Sequence, residues 1–165
     1  MFKIIGIDPG LSATGVGIVR GNGLKVVGYS FGSINTSKDI SLPARLDHIF
    51  SKLLHILKNE NPDLMVVEDV FSLGRYPKSG ILLGQVTGIV MLAGHHAGVQ
   101  SVDISVREAK QVLTGNGNAS KMQLEEAVRH QLNHRDPIRP YHASDAMGLA
   151  LIGLYRYNDK LNSKE

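Results

Sequence analysis

Among the 15 acidic residues and 7 histidines of this chain, types that can hold a divalent cation, four are placed to act together: Asp8, Glu68, His142 and Asp145. Asp8 closes the apolar run "KIIGID" and is followed at once by Pro-Gly, so a strand-like segment ends on a charge. Glu68 closes "LMVVE" in the same way. His142 and Asp145 stand three apart in "RPYHASDAMGLA", and on a helix they would project from one face. Two carboxylates at the ends of neighbouring strands repel and raise one another's pKa, and a divalent cation between them is the usual remedy. Oxygen donors dominate the set, which suits Mg²⁺ or Mn²⁺. Each piece also has a plainer use. "DPG" is a common turn, an Asp at a helix start is often only a cap, and a lone His there is often structural. The joint placement of three acids is what points to one shared site.

The elements that must bring them together can be read from periodicity. "FKIIGID", "ATGVGIVRG" and "LKVVGYSFGSI" have the composition of strands, and "GNG" at Gly21–Gly23 is a hairpin signal between the second and third. Glycines among the valines predict twisted strands or something packed close against them. Leu42, Leu46, Ile49, Phe50, Leu53, Leu54 and Leu57 follow at helical spacing, with Ser41 as N-cap and Asn61-Pro62 as the stop. "LMVVEDVF" reads as a central strand covered on both faces. A glycine-dotted helix over about 79–96 comes next, then a fifth strand in "GVQSVDIS". Three helical stretches complete the chain, one opened by a capping box from Ser120 to Gln123. The order predicts a mixed sheet of about five strands, the first three antiparallel, with helices on both faces. Residues 1–158 read as one domain and 159–165 as a polar, frayed tail.

Composition narrows the function classes. The 165 residues are 42% hydrophobic and 20% charged, ordinary for a globular domain able to bury a core. With no cysteine there can be no disulfide framework, thiolate metal site or thiol nucleophile, and a reducing cytoplasm is the expected setting. No signal peptide is evident. The uncharged stretch from Ser79 to Val102 is weighed as a membrane span, but its dense apolar part, Ile81–Gly94, is shorter than the roughly 20 residues a span needs. A buried helix is the expectation. The net charge of +3 is matched by the segment from Phe71 to Lys121, where Arg75, Lys78, Arg107, Lys110 and Lys121 face only Asp103 and Glu108. A basic middle suggests a polyanion partner, although solvated surface charge would look the same.

The motifs "GIDPGLSATGVGIV", "VVEDVF", "AKQVLTGNGNASK" and "HASDAMGLALI" resemble, in order and over about Ile4 to Ile152, the RuvC Holliday-junction resolvases. The resemblance implies a ribonuclease-H-like fold and a homodimer that cuts branched, four-way DNA with divalent metal, two Mg²⁺ ions per site, Mn²⁺ able to substitute. It also implies delivery by a branch-migration helicase complex of RuvA and RuvB. By position, Asp8, Glu68 and Asp145 match the family's metal-binding acids. His142 stands where many members carry another aspartate and some a histidine. Lys110 and Lys121 match basic residues near the scissile phosphate, and Phe71 matches an aromatic that stacks on junction bases. With Arg75 and Lys78 these make the expected DNA contacts. The chemistry agrees: phosphodiester hydrolysis can be run by two metals about 3.5–4 Å apart, and lysines can neutralise charge developing on the phosphate.

Other readings share some of these features. "GID" after a strand is common to ribonuclease-H-like enzymes, including those acting on RNA, and a catalytically silent branched-DNA-binding module would keep the basic segment. A sugar-kinase-like ATPase needs a second related domain that 165 residues cannot hold. "TGNGNASK" lacks the Walker spacing of a phosphate loop. Paired cuts need two acid clusters, hence a twofold dimer, and Gly80, Gly84 and Gly88 offer one helical face on which a second backbone could approach.

Overall fold

Five strands form one mixed sheet in the spatial order β3-β2-β1-β4-β5. The structure, a computed structural model, describes residues 1–69 and 77–162, with side chains for all of these except Pro77 and residues 157–162. β1 (Phe2–Asp8), β2 (Ala13–Asn22) and β3 (Lys25–Asn35) make the antiparallel meander expected from their β-branched content, and Gly23 takes a positive φ of 57° in the β2–β3 turn. β4 (Leu64–Glu68) lies parallel to β1, with Ile7 opposite Val67, and β5 (Ser101–Ile104) lies parallel to β4. Asp8 and Glu68 therefore finish adjacent strands at the same end of the sheet.

Helices cover both faces. α1 (Leu42–Glu60) and α2 (Pro77–Ala97) pack on one side, where Ile5, Ile7, Ile49, Leu53, Met65, Val67, Val86 and Val90 form a buried cluster. α3 (Val106–Thr114), α4 (Lys121–Leu132) and α5 (Tyr141–Asn162) close the other side around Ile4, Val66, Leu124, Ile138 and Met147. Ser41 caps α1 by accepting from the Ala44 N–H, Asn61 ends it in the left-handed region, and Ser120 and Gln123 form the reciprocal capping box of α4. α5 runs on to Asn162, past Asn158, where a polar tail was expected to begin.

α2 departs from expectation. Rather than a buried helix, it is a helix with one face packed and one face open: Val86, Val90 and Ala93 are buried, while Ile81 is 64%, Met91 47% and Leu92 44% exposed. Over Lys78–Ala97 it is long and apolar enough to cross a membrane by length and composition, with 22% of that stretch buried. An almost uniformly apolar helix carries no stripe from which the packed face can be told.

Candidate active site

The distance from α5 to the sheet is set by missing side chains. Asp8 stands opposite Gly15 in the β1–β2 register, and a Cβ on Gly15 would strike the carbonyl of His142. On Gly17 it would come within 2.6 Å of the Met147 nitrogen, and on Gly6 it would strike the Ala146 carbonyl. These glycines form a trough, and α5 lies in it backbone against backbone. The glycines among the valines thus serve the close packing the sequence suggested. The turn after Asp8 is fixed as well, since the buried Thr14 hydroxyl donates to the Gly10 carbonyl at 2.8 Å.

The first turn of α5 accordingly reaches the ends of β1 and β4. His142 Nδ1 lies 2.5 Å from Asp8 Oδ2, and Glu68 is hydrogen-bonded to Asp8. Asp145 is buried, and its Oδ1 has no hydrogen-bond partner. Its Oδ2 lies 3.9 Å from the Nζ of Lys121, whose own side chain is well exposed at the start of α4. Lys110, on α3, is close enough to act electrostatically on Asp145.

Burial first, and the crowding of anions after it, set the electrostatics. Burial, then the hydrogen bond and charge of Asp8, push Glu68 up from 4.5 to about 9. Burial and the Asp8 charge raise Asp145 from 3.8 to about 6, against the opposing pull of Lys121, His142 and Lys110. The hydrogen bond with Asp8 raises His142 above its ordinary 6.5, outweighing the burial that works the other way. The side chains pair with one another here, and no group of three or more His, Asp or Glu residues is arranged to hold a metal ion among the described residues. The donor set nevertheless fits a hard divalent cation. Three acids cannot all ionise side by side without one, and the orphaned Asp145 oxygen is the kind of buried acceptor that such an ion satisfies.

The RuvC family model, described as crossover junction endodeoxyribonuclease RuvC, matches residues 4–153. The chain belongs to the RuvC family. Among curated relatives, the RuvC of Prosthecochloris aestuarii is 37% identical over 151 residues, covering 92% of this chain and 80% of the relative. That of Rhodopirellula baltica is 35% identical over 159 residues, covering 96% and 89%. Among solved structures, Thermus thermophilus RuvC in complex with a Holliday junction substrate superimposes with a TM-score of 0.89 at 28% identity over 98% of both chains. The yeast mitochondrial Holliday junction resolvase Ydc2 shares the fold, with a TM-score of 0.62 at 12% identity over 97% of this chain and 82% of that one. The five-stranded mixed sheet is thus the ribonuclease-H-like sheet of the RuvC family.

Of the residues singled out by sequence, Asp8, Glu68, His142 and Asp145 meet at one place, with Lys110 and Lys121 beside them. Lys78 is exposed at the start of α2. Phe71 and Arg75 lie outside the described residues. Glu125 escaped notice, although it is only 2% exposed. It accepts from the Ile138 N–H at 2.7 Å and lies 2.7 Å from Arg129 Nε and 3.9 Å from an Arg139 nitrogen. It thereby ties down the connection that launches α5. A carboxylate next to Leu124 and one turn before Val128, on an otherwise apolar helix face, was its signal.

Proposed function

We propose that this protein is a divalent-metal-dependent endonuclease that resolves four-way DNA junctions by paired cuts in recombination and repair. The observation that carries it is the meeting of Asp8, Glu68, His142 and Asp145 where β1, β4 and α5 converge, in a chain of the RuvC family. Asp8, Glu68, His142 and Asp145 would hold two Mg²⁺ ions, with Mn²⁺ an acceptable substitute because the imidazole favours softer ions. Bound there, such ions supply Lewis-acid stabilisation of the phosphate and acidify the attacking water. Lys121 and Lys110 offset charge that develops on the phosphate. The glycine trough keeps the donors on α5 in register with those on the strands. Phe71 is assigned to junction contacts on family resemblance, as is delivery by a RuvA–RuvB branch-migration complex, and Arg75 and Lys78 on the basic charge of their segment. A cytoplasmic site of action is assigned on the cysteine-free composition.

A second copy supplies the second cut. The open face of α2 carries Ile81, Met91 and Leu92, and a Cβ added to Gly84 or Gly88 would meet nothing within 4 Å. Among the described residues nothing packs against these positions, which leaves room for the backbone of a twofold partner. Gly80 is half-buried at the near end of the helix. The decisive experiment compares cleavage of a mobile four-way junction, linear duplex and structured RNA with Mg²⁺ present. Paired nicks confined to the junction are expected. Preferential cleavage of RNA, or binding with no cleavage in any divalent ion, overturns the assignment.

A further inference from the structure

A cavity of about 480 Å³ opens between the turn after Asp8, the start of α1 and the first two turns of α2. It is within the usual size of a small-ligand site, roughly 300–1,000 Å³. His142 forms part of its wall, so the cavity and the acid cluster share a side chain. The lining also includes Arg45 of α1, with Ser12 and Ser79. The guanidinium is half-buried and held in place by neutral oxygens. Its Nε donates to Thr36 Oγ1 at 2.9 Å, and its Nη2 donates to the Leu11 carbonyl at 3.3 Å and Ser12 Oγ at 3.2 Å. Nη1 makes no hydrogen bond, and no carboxylate pairs with Arg45 among the described residues.

A neutral donor could brace the turn through those three oxygens. A fixed, uncompensated positive charge facing a cavity is a different matter, because desolvating it without a counter-ion is costly. A planar fork held with one arm free is suited to a phosphate oxygen. Lys110 and Lys121 act on the acid cluster from α3 and α4, whereas Arg45 of α1 shares a cavity with His142 of that cluster. A DNA strand that crosses the acids and enters this cavity would then meet positive charge from α1 as well as from α3 and α4.

Resting on the resolvase reading, we infer that Arg45 and the cavity beside His142 bind a backbone phosphate of the cut strand, next to the phosphate that is cleaved. Arg45 thus fixes where along the strand the acids act, in addition to steadying the turn that follows Asp8.

The test is equilibrium binding of a four-way junction without divalent ions, across a salt series, for wild type, R45Q and R45K. Each phosphate contact adds about one unit to the slope of log affinity against log salt. R45Q is expected to melt with wild type, bind more weakly and lose about one unit of slope. R45K, which keeps the charge and loses the fork, is expected to keep the slope and bind less tightly. Junctions carrying one neutral methylphosphonate beside the cut site add a second readout: the substitution weakens wild type and leaves R45Q unaffected. A folded R45Q with wild-type slope and the same methylphosphonate penalty reduces Arg45 to a brace and overturns the subsite. If R45Q melts early, R45K decides: a smaller methylphosphonate penalty than wild type supports the subsite, and an equal one overturns it. Wild-type protein that fails to bind junctions defeats the resolvase reading itself, a result distinct from either.

Discussion

His142 and Asp8, 134 residues apart in sequence, place Nδ1 and Oδ2 2.5 Å from one another. The contact joins the first turn of α5 to the last residue of β1, and Glu68 holds Asp8 from the neighbouring strand. Asp8 is therefore the hinge of the cluster, touched from two sides. Asp8→Asn keeps the size and an acceptor but removes a charge. It should abolish cleavage while leaving junction binding intact, since phosphate contacts carry most of the affinity. Gel-shift and nicking assays on one preparation check this, and joint loss of both activities would make Asp8 a folding residue.

The spacing of the site depends on Gly15. A methyl there would strike the His142 carbonyl, so α5 must move away from β2 just where it carries its donors. Gly15→Ala should cost about 1–3 kcal/mol or more, the usual range for overpacking, and should also lower cleavage. Gly32→Ala, on β3 with nothing within 4 Å of its added Cβ, is the matched control and should be near neutral. Thermal melts of the two variants separate a trough from a mere preference for glycine in strands.

Protons and cations compete for the same acids. Glu68 and Asp145 bind protons more tightly in the folded chain than in the unfolded one, at about 9 against 4.5 and about 6 against 3.8. His142 shifts in the same direction from 6.5. Each raised group contributes stability that is full below its unfolded pKa and is lost as pH rises through its folded one. The metal-free site therefore loses stability from the region of pH 3.8–4.5 up to about 9. A cation that replaces the protons reverses this trend. The gain in Tm on adding Mg²⁺ should grow steadily from pH 5 to pH 9. A gain that does not vary with pH would mean that the ion binds elsewhere.

His142 should leave its own mark on activity. Imidazole binds a cation only when neutral, and the Asp8 contact raises its pKa above 6.5. Wild-type cleavage should therefore fall away on acidification before that of His142→Asp, which lacks this titration. Rate–pH profiles of kcat/KM on a junction substrate measure the difference, and superimposable acid limbs would remove His142 from the site.

The legible parts of the molecule were those with local signals. A run of β-branched residues ending on Asp8 or Glu68 announces both a strand and the charge at its tip, and Ser41, Asn61 and the Ser120–Gln123 box announce helix ends within a few residues. The unread parts depend on distant partners. The main partner of Glu125 is the backbone N–H of Ile138, which has no sequence signature, and Arg45 is held by Leu11, Ser12 and Thr36 from a turn and a strand end. On α2 hydrophobicity misled, because an apolar residue looks the same whether its own chain or a second copy covers it.

That open face gives the last prediction. Gly84 lies on it one turn from Ile81 and Gly88, and a Cβ added there meets nothing within 4 Å among the described residues. Gly84→Arg should leave the fold intact, and the helix itself should gain up to about 1 kcal/mol from losing a glycine. In a twofold interface, however, the same change would set two arginines against one another where two backbones come close, burying like charges without partners. Sedimentation should show a dimer for wild type and a monomer for Gly84→Arg, with Tm unchanged or raised at low protein concentration. On a four-way junction the variant should make single, uncoordinated nicks in place of paired ones. A Gly84→Arg protein that still sediments as a dimer would move the interface off α2.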